Sequence, residues 1–179
     1  MKGWAAPTIR TRRLVVRPFT VGDLEEVHRY AISHPAVVYG SWLGGSTPSE
    51  VARYIADTVA RYGRPPRTDL GVTWDGRLIG GVAWRQVWIA PPAMEVGWVF
   101  HPAVAGQGFA REAVGALLDH LYEAFPEMVR TEARVRTRDT GGINLLEHLG
   151  FQREGVLRYG AGEAGDAAMY GLLRNERPS

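Results

Sequence analysis

The chain has 179 residues, 45% of them hydrophobic and 22% charged, which suits one globular domain spanning 1–179 and leaves no polar tract that reads as disordered. The formal net charge of +2, with arginines interleaved among acids, argues against nucleic acid as a partner. The absence of cysteine removes disulfides, thiolate metal sites and a thiol nucleophile together. Met1 to Leu14 lacks the continuous apolar stretch of a signal peptide and no run is long enough to span a bilayer, so a cytoplasmic protein without a membrane partner is expected.

In chain order, Leu14 to Phe19 reads as a strand. Thr20 with Asp23 then resembles a capping signal for a helix carrying Leu24, Val27 and Ala31. A sharper start follows at Thr47-Pro48-Ser49-Glu50, a Thr-x-x-Glu box with proline at the first helical position, ahead of an apolar stripe of Val51, Tyr54, Ile55 and Val59. Between these helices, 36–46 reads as a loop with the large aromatics Tyr39 and Trp42.

Three strand-like runs come next, Asp69 to Trp74, Leu78 to Ile89 and Met94 to Phe100. Asp75-Gly76 is the hairpin turn between the first two, and Pro91-Pro92 separates the second from the third. After Ala105-Gly106-Gln107-Gly108, a helix presents Val114, Leu117, Leu118, Leu121 and Phe125 on one face, and Pro126 stops it. A strand from Thr131 to Thr137, a short helix ended by Gly150, and strands around Gly155 to Leu157 and Ala168 to Leu173 complete the order. Strands grouped mid-chain with helices around them imply an α+β or mixed α/β sheet, with a parallel pair where Met94 to Phe100 crosses through a helix to Thr131 to Thr137.

That crossover carries the chemistry. A strand that runs through a glycine turn into a helix leaves main-chain N–H groups unpaired and aimed at one point, where an anion binds. Gly106 and Gly108 admit a ligand close to the backbone. The dinucleotide fingerprint fails because position 111 is arginine, and no Gly-Lys-Ser/Thr of a P-loop follows; a diphosphate on some other carrier remains.

At Glu95-Val96-Gly97-Trp98-Val99-Phe100-His101-Pro102 and Gly106-Gln107-Gly108-Phe109-Ala110-Arg111-Glu112-Ala113 the chain resembles the GNAT superfamily, especially its ribosomal-protein N-acetyltransferase branch. Leu146 to Phe151 and Arg153 to Arg158 continue the likeness, which runs from about Arg10 to Glu176. The resemblance implies a twisted sheet of about seven strands with a splayed parallel pair and about four helices. It implies acetyl-CoA as co-substrate between the splayed strands, its diphosphate on the turn from Ala105 through Gly106, Gln107, Gly108, Phe109 and Ala110, with Arg111 adding charge. The pantetheine would pair with Val99 and Phe100 like a short extra strand.

The acceptor implied is a primary amine, of a protein N-terminus or of a small molecule such as an amino acid, polyamine or aminoglycoside. A non-catalytic acyl-CoA-binding module is the alternative. At pH 7 an α-amine is only ~10% neutral, so a base helps, and by resemblance Glu95 takes that place, directly or through water. The sequence departs from the branch at Ala105, where many members carry Arg or Gln, and at Asp139 and Gly142, where they carry Asn and Ser in the cofactor site. The tyrosine of the following helix is missing, which leaves water, Thr140 or Tyr170 to protonate the thiolate. By analogy the loop 36–46, the segment Trp84 to Pro92 and the stretch Tyr159 to Asp166 build the acceptor wall, lined by Tyr39, Trp42 and Trp88, while Trp74, Trp84 and Trp98 read as core aromatics. The five histidines show no metal spacing, so no metal is expected; the protein is expected as a monomer or homodimer.

Overall fold

The computed structural model of the protein describes residues 5–33, 47–162 and 165–177. Tyr39 and Trp42, with the 36–46 loop, lie outside the described residues. The strands are β1 (Ile9–Arg10), β2 (Leu14–Pro18), β3 (Arg67–Trp74), β4 (Arg77–Ile89), β5 (Pro92–Phe100), β6 (Arg130–Arg136), β7 (Gln152–Leu157) and β8 (Ala167–Leu173). The helices are α1 (Leu24–Ser33), α2 (Pro48–Arg61), α3 (Phe109–Ala124) and α4 (Thr140–His148). All eight strands join one sheet in the order β1-β2-β3-β4-β5-β6-β8-β7, and every neighbouring pair is antiparallel except β5 with β6. The strand beyond the expected seven or so is β1, whose two residues are too few to leave a periodic signal.

Local chemistry accounts for the boundaries. The Thr47 box closes as read, with Glu50 N donating to Thr47 Oγ1 at 3.4 Å and Thr47 N to Glu50 Oε2 at 2.7 Å. At Thr20 the cap opens a 3-10 turn, Val21–Asp23, before α1; Asp23 accepts from Thr20 N at 2.7 Å and is gripped by Arg17. The β3–β4 turn has Asp75 at φ 49° and Gly76 at φ 75°, the twist that a two-residue hairpin requires. Pro92 opens β5 instead of separating it from β4; the first residue of a strand is where proline is tolerated.

The sheet has two covered faces. On one, Val114, Leu117, Leu118 and Leu121 of α3 pack with Leu70, Val82, Trp84, Met94 and Val96. On the other, Val27 and Ala31 of α1 and Val51 and Ile55 of α2 pack with Phe19, Leu78 and Val99. Val59 is partly exposed, so the α2 stripe ends before it. Trp84 is fully buried and Trp98 packs against the core, as expected; Trp74, at the end of β3, is 42% exposed and leans on Phe109 with ring centroids 4.9 Å apart.

Candidate functional site

The parallel pairing of β5 and β6 is brief. Ala93 pairs with Arg130, Met94 with Thr131 and Glu95 with Glu132, and there it stops, although β5 continues to Phe100 and β6 to Arg136. Beyond Glu95 the two strands share no ladder, so their facing edges present main-chain N–H and C=O groups to the gap. Val99 and Phe100 lie on the β5 arm of this split, still paired to Gly81 and Gly80 of β4 on their other side.

Past the end of β5 the chain turns through Pro102–Val104 and enters α3 with Gly106 at φ 76° and Gly108 at φ 78°, left-handed conformations that glycine adopts without strain. Gly108 is the N-cap of α3, and the first helical bond comes from Glu112 N to Gly108 O at 3.1 Å. Among the described residues, no acceptor binds the main-chain N–H groups of Gly106, Gln107, Gly108, Phe109, Ala110 or Arg111. Ala105 N is already taken by Pro102 O at 3.0 Å. The Phe109 side chain is buried, so this residue offers a ligand its amide alone. Such a ring of free donors at a helix start suits a diphosphate.

The turn is tied down from the connection between β1 and β2. The Arg13 guanidinium donates from Nη1 to Gln107 O at 3.0 Å and from Nε to Glu112 Oε2 at 2.6 Å, and it stacks 4.4 Å from the Phe109 ring. Glu112 Oε1 accepts from Thr11 Oγ1 at 2.6 Å and from Arg13 N at 2.8 Å. Burial pushes the Glu112 carboxyl up, but these donors outweigh it and hold it below the usual carboxylate range.

Glu95 stands at the last paired position, buried, where the strands part. Alternation puts Met94 and Val96 in the α3 core and Glu95, Gly97 and Val99 on the face of α1 and α2. Arg85, its partner across β4, donates to Glu95 Oε2. Arg134 Nε lies 3.6 Å from Oε1, too far for a hydrogen bond, and is a buried donor without a partner. A Cβ added at Gly97 meets nothing within 4 Å, so there is open space beside the carboxylate on the same face. Trp88 also belongs to this face, since it pairs with Ala93 two residues before Glu95, and it is 57% exposed.

Across the split, Asp139 caps α4, its Oδ1 accepting from Gly142 N at 2.9 Å. A Cβ at Gly142 would fall 2.7 Å from Asp139 Oδ2 and 3.0 Å from Val135 Cγ1, so the two departures from the branch pattern belong together: with this cap, position 142 has no room for a side chain. A cavity of about 720 Å³ opens here, lined by Arg136, Thr137, Arg138, Asp139, Tyr159, Gly165 and Asp166. Tyr159 and Asp166 thus stand together, and Tyr159 N donates to Asp166 Oδ1 at 2.9 Å. Tyr170 is different: its ring is buried in the α3 core and its hydroxyl donates to Glu147 Oε1 at 3.3 Å, which removes it as a proton source for the split. Thr140, by contrast, is exposed at the start of α4, and Arg111 is exposed on the first turn of α3. Among the described residues no cluster of metal-ligating side chains occurs, and no helix is long and apolar enough to cross a membrane.

Sequence reasoning missed Arg13, Arg85, Gly97 and Arg134. An arginine two residues from the register partner of a candidate carboxylate carries no local signal, and neither does the emptiness above a glycine.

A family model described as an acetyltransferase (GNAT) domain matches residues 13–152. The uncharacterized N-acetyltransferase p20 of Bacillus licheniformis is 29% identical over 94% of this chain and 97% of its own. Mycobacterium smegmatis RimJ in complex with CoA-disulfide superposes with a TM-score of 0.84 at 21% identity, covering 99% of this chain and 91% of that one. RimL, a ribosomal alpha-N-protein acetyltransferase solved with coenzyme A, gives a TM-score of 0.81 at 15% identity over 93% of this chain and 98% of its own.

Proposed function

The chain belongs to the GNAT acetyltransferase family, and on that premise we propose that it passes the acetyl group of acetyl-CoA directly to a primary amine in a ternary complex. The observation that carries this reading is the end of the β5–β6 ladder at Glu95, with the free amides of Gly106 to Arg111 at the head of the same gap. The diphosphate rests on those amides, Arg111 adds charge, and the pantetheine follows the open edge at Val99 and Phe100. Asp139 and Gly142 contribute the far wall, from the first turn of α4.

In the transfer the amine nitrogen attacks the thioester carbonyl carbon, the C–S bond breaks, and coenzyme A leaves as a thiolate. The proton released by nitrogen passes to Glu95, whose Oε1 faces Arg134 without a hydrogen bond between them, directly or through one water. Arg85 holds the carboxylate through Oε2, and the open space over Gly97 lies two residues along the same face of β5. The thiolate is a tolerable leaving group at neutral pH, so water or Thr140 suffices to protonate it.

The acceptor we favour is the N-terminal amine of a protein, supported by the names of the RimJ and RimL neighbours. An α-amine is also the easier nucleophile, neutral about 250-fold more often than a lysine at pH 7. The test is release of free thiol from acetyl-CoA over a panel of N-terminal peptides, amino acids and polyamines. Saturable turnover with peptides is expected. Saturable coenzyme binding without turnover on any amine would leave only a binding module.

A further inference from the structure

On the face that carries Glu95, the charges are layered. The register aligns Arg67, Arg85, Glu95 and Glu132 in one row across β3 to β6, with Asp69 one step away on β3 and Arg130 and Arg134 flanking Glu132 on β6. In every pair of this central region the acid lies beneath and the arginine lies on top. The Glu95 side chain is 11% exposed, against 47% for Arg85 and 28% for Arg134. Asp69 is 1% exposed under Arg61 and Arg67, and Glu132 is 8% exposed beside Arg130. The exposed acid, Glu154, sits on the outermost strand β7, where Arg130 holds it at 2.6 Å. A molecule approaching Glu95 therefore meets guanidinium groups before it meets a carboxylate.

The positive layer continues along β6. Arg136, two residues beyond Arg134 and so on the same face, lines the cavity between the end of β6 and the Tyr159–Asp166 stretch, with Arg138. No carboxylate lies within ion-pair distance of either among the described residues. Among the described residues, the two acids of that wall are engaged by main-chain amides, Asp139 by Gly142 N and Asp166 by Tyr159 N.

We propose that the acceptor is the N-terminus of an acidic peptide, whose carboxylates just after the reacting amine are held by Arg85, Arg134 and Arg136. This deepens the transferase reading and rests on it. The planar guanidinium fork matches a carboxylate, and the partly exposed Arg134 side chain makes no hydrogen bond among the described residues that would hold its fork elsewhere. The same layer disfavours polyamines and aminoglycosides, whose extra ammonium groups would be set against three arginines.

The experiment uses peptides that share one N-terminal residue and carry Glu, Gln or Lys at positions two to four. Both acetylation and equilibrium binding to the coenzyme A complex are measured. The Glu peptides are expected to show a KM and a dissociation constant about tenfold below the Gln peptides, with Lys peptides weakest, since several partly exposed pairs together reach that factor. Raising the salt to 1 M should compress the series, and Arg136→Glu should erase or invert it. Arg136→Gln, which keeps the length without the charge, guards against a folding defect. Acetylation of all peptides with equal KM would overturn the proposal and leave the transferase reading intact. Charge-ranked binding without acetylation would uphold the acidic-peptide site and sink the transfer reading. Free glutamate binding as tightly as the Glu peptides would overturn the peptide as the source of the carboxylate.

Discussion

The Glu112 carboxylate holds Arg13 at two points, accepting from its main-chain N at 2.8 Å and from its Nε at 2.6 Å. One residue just ahead of β2 thereby fixes both the first turn of α3 and, through Gln107 O, the turn that bears the free amides. On the proposed reading the clamp preorganises the coenzyme turn and does not touch the chemistry. Arg13→Gln is expected to raise the KM for acetyl-CoA roughly fivefold, a loss of about 1 kcal/mol, with kcat nearly unchanged. Initial rates at varied acetyl-CoA check it, and a fall in kcat alone would contradict it.

The same clamp gives stability a pH dependence of known sign. The folded-state Glu112 carboxyl titrates below its ordinary value, so its contribution is complete above about pH 4.5 and fades as pH falls through the lower folded value. The gap in Tm between the protein and Glu112→Gln should be widest above about pH 4.5 and close at more acid pH. A gap that widens on acidification would refute the arrangement.

Glu95 is assigned the amine proton. Glu95→Gln should slow turnover ~10²–10⁴-fold while coenzyme A binding, measured by calorimetry, stays within about twofold. Equal turnover would return Glu95 to the role of an ion-pair partner for Arg85 and Arg134.

Open space over Gly97 makes a separable prediction. Since an added Cβ meets nothing within 4 Å, Gly97→Val should leave stability within about 0.5 kcal/mol, yet the larger side chain fills the room beside Glu95. Turnover is expected to fall at least about tenfold, through both kcat and the acceptor KM. Unchanged kinetics would show that the acceptor does not use that space.

Asp139 and Gly142 should be coupled. Gly142→Ala alone is expected to cost about 1–3 kcal/mol by crowding Asp139 and Val135, and Asp139→Ala alone about 0.5–2 kcal/mol by loss of the α4 cap. The double variant should cost less than the sum, because the crowding carboxylate is gone. Strict additivity in urea denaturation would contradict the contact.

Much of this arrangement is legible in local sequence because it is locally caused. The Thr47 box, the Asp75-Gly76 turn and the α3 stripe each place their residues through contacts within a few positions, and the strand–glycine turn–helix order marks where the free amides lie. What was not legible depends on register. Arg85 meets Glu95 only because β4 and β5 align them, and the stop of the β5–β6 ladder at Glu132 is a property of how two strands diverge, not of either strand's residues. Tyr170 is the converse: its type suits a proton donor, but alternation along β8 turns it into the core, where Glu147 takes its hydroxyl.

The most direct test of the site is an amide-resolved NMR titration of the protein with coenzyme A. The expected result is saturable shift changes and slowed exchange concentrated at Gly106 to Arg111 and along Val96 to Phe100. Saturation that leaves those amides unmoved, or no binding at all, would contradict the placement of the coenzyme in the β5–β6 split.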